Sequence, residues 1–326
     1  MPSLPRNILE QQAANKRNTF LVMLLFVLFL GFLGFGCDTM MFGYSPGGGH
    51  RGSLIGFPLA TMVALGYGGM RAWVGFRQGS QTVLQSAGAM PASPNDPRYQ
   101  QLFNIVDEMS IASGLPRPAV YVIPDPDPNA FATGRDPQRA AIAVTQGLVD
   151  TLTREELQAV IAHEMSHVRN YDIRLMTVVA ALIGAVMLIS EFGLRSFHGS
   201  GGRGKSSSSR SGGPFFLIIW LLAMILSPLI SRILAMAVSR QREYLADASA
   251  GELTRNPLAL ASALSKIDAA DDPTRSIKKG SAHLCIADPL GREANEREGF
   301  LADLFGTHPP IQRRILALKA MAYVHS

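Results

Sequence analysis

The chain has 326 residues and a formal net charge of +5 at pH 7. Its 2 cysteines, Cys37 and Cys285, are too few for a disulfide framework and form no paired metal-ligand motif. Hydrophobic residues make up 47% of the chain and are concentrated in four blocks, so we interpret the positive charge as attraction to anionic lipid rather than to nucleic acid. These features exclude a small disulfide-rich protein and favour a membrane protein.

The four apolar blocks predict four helices that cross or enter a membrane. Each block is close to the roughly 20 residues that span a bilayer as a helix. The predicted helices are residues 19–36, 54–76, 173–194 and 214–239. The alternative for the first block is a cleaved signal sequence, but its apolar run is long for that role and a second block follows closely.

Basic residues beside the first two blocks predict their orientation. They are Arg6, Lys16, Arg17, Arg71 and Arg77. Because positively charged flanks stay on the cytoplasmic side, residues 1–18 are predicted to be a cytoplasmic tail and residues 37–53 an external loop. Residues 77–172, which follow the second block, are then also cytoplasmic.

Residues 77–172 combine an amphipathic helix with short strands. Apolar residues at helical spacing from Leu102 to Met109 predict a helix that ends near Gly114. The predicted strands are residues 119–123, 129–133 and 140–145. A Gly-Arg-Asp-Pro turn joins the last two strands, so we predict a small sheet in the first part of a cytoplasmic α+β domain.

A metal-binding motif follows the predicted sheet. Residues 163–167 read His-Glu-Met-Ser-His, and a capping box that begins at Thr153 starts a helix through them. Residues four apart lie on one face of a helix, so His163 and His167 can bind one metal ion. Glu164 can then reach a water molecule on the metal, which is the arrangement of a zinc metallopeptidase. The alternative is a pair of surface histidines, which the position in the middle of the helix disfavours.

A catalytic zinc site needs a third protein ligand, and the strongest candidate is Glu243. Glu243 and Asp247 are four residues apart, which puts both on one face of a helix. Asp247 can accept the free N–H of a metal-binding imidazole. The residues alone leave open a solvated helix in which Glu243 pairs with Arg240 or Arg242.

The later apolar blocks lie between the two parts of this site. Because Glu243 must reach the same metal as the histidines, the intervening chain crosses the membrane twice or not at all. The linker, residues 195–213, is rich in Gly and Ser and carries four basic residues, which the cytoplasmic side favours. Two spanning helices and an embedded hairpin both remain possible arrangements of these blocks. Residues 240–326, which follow them, are predicted to form the second part of the peptidase domain.

Two features near the C-terminus bear on substrate binding. Residues 271–298 have mixed charge with Gly and Pro, and either cover the active-site cleft or form a solvated loop. His308 lies where the last helix is predicted to begin. It is a candidate hydrogen-bond donor to the oxyanion, with a helix-cap histidine as the alternative.

Several segments resemble a known family in the right order along the chain. They are HEMSHVRNYD (163–172), SRQREYLADA (239–248), PNAFATG (128–134) and FGTHP (305–309). They are similar to HtpX, a family of membrane-bound zinc metallopeptidases in the same clan as the CAAX prenyl-protein endoproteases. The resemblance covers most of the chain, and Gly306 departs from the small hydroxyl residue expected in the family.

The resemblance implies an architecture and further site residues. It implies a mainly α membrane protein with four transmembrane helices in the cell's inner membrane, and an active site facing the cytoplasm in an α+β domain of zincin type (gluzincin-like). It supports Glu243 as the third ligand to a single Zn²⁺ per subunit. It also gives Asn129 and Ala130 as candidate contacts to the substrate backbone, with a turn-capping role as the alternative for Asn129.

The resemblance implies that the function is hydrolysis of peptide bonds in misfolded or damaged membrane proteins, within proteolytic quality control and the stress response. The family also implies a functional partnership with an ATP-dependent membrane protease. In the expected mechanism Glu164 accepts a proton during attack on the peptide carbonyl and passes it to the leaving amine. The alternatives are a CAAX-type prenyl-protein peptidase, a membrane scaffold with a structural zinc, and a lipid-binding or transport protein.

Overall fold

The computed structural model describes most of the predicted peptidase domain and the first two predicted membrane helices. The described residues are 8–41, 57–183, 240–270, 274, 276–277, 282–287 and 309–324. The linker at 195–213, the predicted fourth membrane helix and His308 lie outside these residues, as do parts of the predicted external loop, third membrane helix and 271–298 segment.

The chain divides into two compact units. The first unit comprises Met1–Thr19, Phe76–Ala181 and Ala235–Ser326. The second unit comprises Phe20–Gly75 and Leu182–Leu234.

Two helices form the described part of the second unit. Helix α1 is Ile8–Met41 and helix α2 is Leu59–Ser86, and both continue into the first unit. Asp38 of α1 caps α2, because its carboxylate accepts hydrogen bonds from the backbone amides of Ala60 at 2.8 Å and Thr61 at 2.7 Å. A Cβ atom at Gly34 would lie 2.7 Å from the Thr61 Cα, so only glycine permits this approach of the two helices.

One stretch among the described residues is long and apolar enough to cross a membrane. It is Leu9–Gly36 within α1, close to the N-terminus. A signal sequence passes the same test of length and composition. The number of membrane-spanning helices therefore stays a prediction.

A small mixed sheet lies in the first unit. Its strands are β1 Met90–Pro91, β2 Ala119–Ile123, β3 Ala130–Gly134 and β4 Ala140–Thr145. The spatial order is β1-β2-β4-β3, with β2 parallel to β4 and the other two pairs antiparallel. The three strands predicted from the sequence are confirmed, with β3 displaced by one residue. Strand β3 is an edge strand.

Helices pack around this sheet. They are α3 Gln100–Ser113, α4 Gln146–Thr151, α5 Arg154–Arg169, α6 (172–183, as far as described), α7 Arg240–Thr254, α8 Pro257–Asp268 and α9 Ile311–Val324. Helix α5 packs against α3, α7, α8 and strand β3, which places it at the centre of the unit. Its buried residues Val160 and Ile161 share one apolar core with Ile105, Ile142 and Leu264.

Local signals account for where these helices begin and end. The Thr153 side chain accepts from the Glu156 backbone and the Glu156 side chain accepts from the Thr153 backbone, which is the predicted capping box of α5. Helix α3 ends at Gly114, whose φ of 68° suits glycine. Asn256 caps α8 through the Ala259 amide. Tyr171, with a φ of 59°, turns the chain between α5 and α6.

Candidate metal centre

Helix α5 brings its two histidines together in the interior of the first unit. His163 and His167 are 0% and 4% exposed, and their Nε2 atoms lie 3.3 Å apart. The two rings are nearly perpendicular, with an interplanar angle of 88°. This is the one-turn spacing that the motif predicts, with the same nitrogen of each ring facing a shared point.

Helix α7 supplies a carboxylate to the same point. The two oxygens of Glu243 lie 3.7 Å from the Nε2 atoms of His163 and His167, one oxygen against each ring. Ligand atoms of all three residues fall within 4.8 Å of one another. Tetrahedral zinc, with bonds of about 2.0–2.2 Å, needs neighbouring ligand atoms roughly 3.3–3.6 Å apart. The donor set and its spacing therefore fit a divalent metal ion such as zinc.

A buried carboxylate lies against the Nδ1 atom of His163, and a buried arginine holds that carboxylate. Asp247 Oδ1 lies 2.9 Å from His163 Nδ1, where the sequence places a partner for a metal-binding imidazole. Arg314 of α9 donates two hydrogen bonds to Asp247, of 2.8 Å and 2.7 Å, and its Nη1 lies 3.5 Å from Glu243. Burial would raise the pKa of Asp247, but the charge and hydrogen bonds of Arg314 hold it below the usual value. Asp247 is therefore ionised in the folded protein.

A second buried carboxylate supports His167. Asp172, at the start of α6, lies with its Oδ2 3.0 Å from His167 Nδ1 in a hydrogen bond. Burial would lower the pKa of His167, but this bond and the charges of Glu243, Asp172 and Glu164 raise it to about 9. The surroundings of His167 thus favour positive charge, which a bound divalent cation also provides.

Glu164 lies beside the metal-binding groups and is 1% exposed. Among the described residues neither of its carboxylate oxygens makes a well-formed hydrogen bond. Burial raises the pKa of Glu164, although the two histidines and the Ala132 amide act in the opposite direction. A buried carboxylate with so few hydrogen-bond partners among the described residues is costly, which marks Glu164 as a candidate functional residue.

Asn129 and Ala130, the predicted substrate contacts, lie at the start of edge strand β3 and have partners within the chain. The Asn129 amide donates to the Thr274 hydroxyl at 3.1 Å and the Ala287 carbonyl at 3.2 Å. The Ile286 amide donates to the Ala130 carbonyl at 2.9 Å. Residues 284–287 therefore cover part of the β3 edge that an extended substrate would use. Arg314 also donates to the Ile286 carbonyl, which ties this segment to the metal centre.

The structure brings together His163, Glu164, His167, Glu243 and Asp247, as the sequence predicts. Sequence reasoning missed Arg314, although a signal was available in the last helix. Ile311, Ile315 and Leu318 form its buried stripe, and Arg314 falls inside that stripe at helical spacing. A charged residue within an apolar stripe indicates a buried partner. Asp172, five residues beyond His167, was also missed.

Comparisons with known proteins identify the family of the chain. The model of peptidase family M48 matches residues 97–322. The Protease HtpX homolog of Caldanaerobacter subterraneus subsp. tengcongensis is 42% identical over 317 residues, covering 97% of this chain and 98% of that protein. The Protease HtpX homolog of Tropheryma whipplei (strain Twist) is 42% identical over 309 residues, covering 95% and 97%. The crystal structure of S. mikatae Ste24p aligns with a TM-score of 0.44 and 19% identity, over 80% of this chain and 57% of that chain.

The matched region contains both histidines, Glu164, Glu243 and Arg314, so the family match and the buried cluster concern the same residues. Members of this family are metallopeptidases, and a peptidase acts on polypeptide substrates. The chain belongs to peptidase family M48, within its HtpX-like members, and is a metalloprotease.

Proposed function

We propose that the chain is a zinc-dependent endopeptidase of the cell's inner membrane that degrades misfolded or damaged membrane proteins. The observation that carries this proposal is the convergence of His163, His167 and Glu243 beside Glu164, a buried carboxylate that makes no well-formed hydrogen bond among the described residues. Three protein donors leave a fourth position open, as catalytic zinc sites require. A structural site would use four protein ligands, usually including cysteines.

The residues of the chain have distinct tasks in this reaction. A zinc ion held by His163, His167 and Glu243 would supply a Lewis acid, which would lower the pKa of water and polarise the substrate carbonyl. Glu164 takes a proton from the attacking water and delivers it to the departing amine. Glu164 suits this task because its buried carboxylate lies beside both histidines, where it can hold the proton between the two transfers. Asp247 fixes the orientation of the His163 ring.

We propose that the substrate backbone lies along the outer edge of β3, next to Glu164. Asn129 and Ala130 would contact it there, after residues 284–287 have left the edge that they now share. Pairing through the backbone requires little sequence specificity, which suits an enzyme that removes damaged proteins. His308 remains a candidate donor to the oxyanion.

The proposed setting is a multi-pass membrane protein with four transmembrane helices and a cytoplasmic active site. The apolar stretch Leu9–Gly36 and the basic residues Lys16, Arg17 and Arg77 support this orientation. An ATP-dependent membrane protease is the proposed functional partner, as the similarity to HtpX implies.

Cleavage of casein by the purified full-length chain tests the catalytic proposal. Glu164→Gln should keep one bound zinc but lower the cleavage rate by about 10²-fold or more, because the proton acceptor is lost. The matched control is Glu155→Gln, which changes an exposed glutamate of the same helix and should cleave normally. Unchanged cleavage by the Glu164→Gln protein would refute the assigned role.

A further inference from the structure

The first helix reaches the surroundings of the metal centre through a single buried side chain. Asn15 of α1 is 3% exposed and lies within the first unit, together with the metal-binding residues. Its side-chain Nδ2 donates to Asp172 Oδ1 at 2.6 Å and to the Asn170 carbonyl at 2.9 Å. The sequence alone predicts only a cytoplasmic tail for this part of the chain.

These contacts place Asn15 two hydrogen bonds from a metal ligand. Asn15 holds one oxygen of Asp172, and the other oxygen of Asp172 is bonded to His167 Nδ1. A carboxylate that is fixed at one oxygen cannot rotate freely about its Cβ–Cγ bond. The direction of the His167 ring, and hence of its Nε2, therefore depends on Asn15.

Asn15 also contacts the helix that carries the third ligand. Its Oδ1 accepts a hydrogen bond of 3.1 Å from Nη1 of Arg242, the residue next to Glu243 on α7. The same Nη1 lies 3.7 Å from Asp172. One amide thus joins the end of the histidine helix to the glutamate helix, two segments that are far apart in sequence.

The chemistry of this position requires an amide. Asp172 and the Asn170 carbonyl are acceptors, whereas Arg242 is a donor, so the side chain must both donate and accept. Aspartate would offer no donor and would place a second carboxylate against Asp172. Alanine or leucine would leave buried polar groups without partners.

We propose that Asn15 is a positioning residue of the metal centre, which sets zinc affinity by holding Asp172 against His167 and Arg242 beside Glu243. This inference rests on the proposed function, because it takes His163, His167 and Glu243 as the zinc ligands. The metal centre is then completed by the first helix of the chain, and a shortened chain that starts after α1 would lack this support.

Gln12, one turn earlier on α1, provides a matched control. Its Nε2 donates to the Arg169 carbonyl at 2.8 Å, so it also ties α1 to the end of α5. However, the carbonyl it contacts is not bonded to a metal ligand. Removing Gln12 weakens the attachment of α1 in general, whereas removing Asn15 also frees Asp172.

The test measures zinc dissociation constants of the full-length chain in detergent, by competition with a chromophoric chelator. Asn15→Ala should weaken zinc binding about 10- to 100-fold, the loss typical of removing a residue that holds a metal ligand in place. Gln12→Ala should bind zinc like the unmodified chain. Excess zinc should restore casein cleavage by the Asn15→Ala protein, which it would not do for an unfolded chain.

A second arm tests whether the effect passes through Asp172. If it does, Asn15→Ala should cause much less further loss of zinc affinity in the Asp172→Ala background than in the unmodified chain. Equal losses in both backgrounds, or equal losses for Asn15→Ala and Gln12→Ala, would overturn the inference. His163→Ala provides the separate check of the zinc site: retained zinc there would instead refute the proposed function.

Discussion

The two histidines of the candidate metal centre lie against buried carboxylates that are held in different ways. Behind His163, Asp247 is clamped by the guanidinium of Arg314, which is itself 0% exposed. Behind His167, Asp172 accepts a hydrogen bond of 2.6 Å from the neutral amide of Asn15, and the guanidinium of Arg242 lies farther away, at 3.7 Å. A charged clamp compensates much of the cost of burying a carboxylate, but removal of either partner leaves an isolated charge. The Asp247–Arg314 pair should therefore contribute more to the stability of the protein. Asp172 and Asn15 should mainly fix the direction of the His167 ring.

The largest expected effect comes from breaking the charged clamp. Arg314→Leu leaves Asp247 and Glu243 buried without their counter-charge, and should lower the free energy of unfolding by about 3–5 kcal/mol. Urea unfolding of the zinc-free protein measures this. Arg313→Leu is the control, because Arg313 is exposed on the same helix. Similar stability of the two variants would show that Arg314 does not have the structural role assigned to it.

Comparing the two carboxylates directly should separate affinity from stability. Asp247→Asn and Asp172→Asn should each weaken zinc binding about 10- to 100-fold, because each removes the acceptor that orients a histidine. Asp247→Asn should also be the less stable of the two, because it removes the closer ion pair: Arg314 lies 2.7 Å from Asp247, whereas Arg242 lies 3.7 Å from Asp172. Chelator competition and urea unfolding of both variants supply the data. Equal stability would contradict the asymmetry between the two sides.

A smaller, pH-dependent contribution to the stability of the protein is expected from Glu156 at the start of α5. Glu156 accepts hydrogen bonds from Lys266 at 2.7 Å and Ser262 at 2.7 Å. Burial would raise the pKa of Glu156, but these bonds, the Thr153 amide and the Lys266 charge lower it below 4.5. A lowered folded-state pKa means that the stabilisation is present above the unfolded value and disappears as pH falls through the folded one.

Glu156→Gln should therefore lower the free energy of unfolding by about 1 kcal/mol near neutral pH, in the range of a lost cap interaction. The cost should shrink as pH falls below 4.5, where the carboxylate of the unfolded chain becomes protonated. Unfolding free energies at a series of pH values measure this. A cost that stays constant down to pH 3 would show that the charge of Glu156 is irrelevant. The Asp247–Arg314 ion pair should contribute more to stability than the Glu156–Lys266 pair at every pH. The reason is that Lys266 is 39% exposed, so solvent screens its charge.

Features encoded over short stretches of sequence were predictable. The capping box at Thr153, the end of α3 at Gly114 and strands β2, β3 and β4 depend on neighbours a few residues away, and the structure places them within one residue of the prediction. The two-residue strand β1 was not predicted. The spacing of His163 and His167 is likewise local. Glu243 could be proposed because Asp247 follows it at helical spacing.

Asn15 and Arg314 could not be assigned in the same way. Their partners, Asp172 and Asp247, lie far away in sequence and become neighbours only when the helices pack. An asparagine in a basic N-terminal segment has no periodic pattern that indicates burial. Arg314 does interrupt an apolar stripe, but that pattern indicates a buried partner without identifying it.

X-ray absorption at the zinc edge would show whether His163, His167 and Glu243 bind one zinc ion. The purified full-length chain should show one zinc per subunit with nitrogen and oxygen neighbours at about 2.0–2.2 Å, including the outer-ring signature of two imidazoles. Glu243→Ala should remove one oxygen neighbour and leave both imidazoles. A sulfur neighbour at about 2.3 Å, or a spectrum unchanged by Glu243→Ala, would contradict the account.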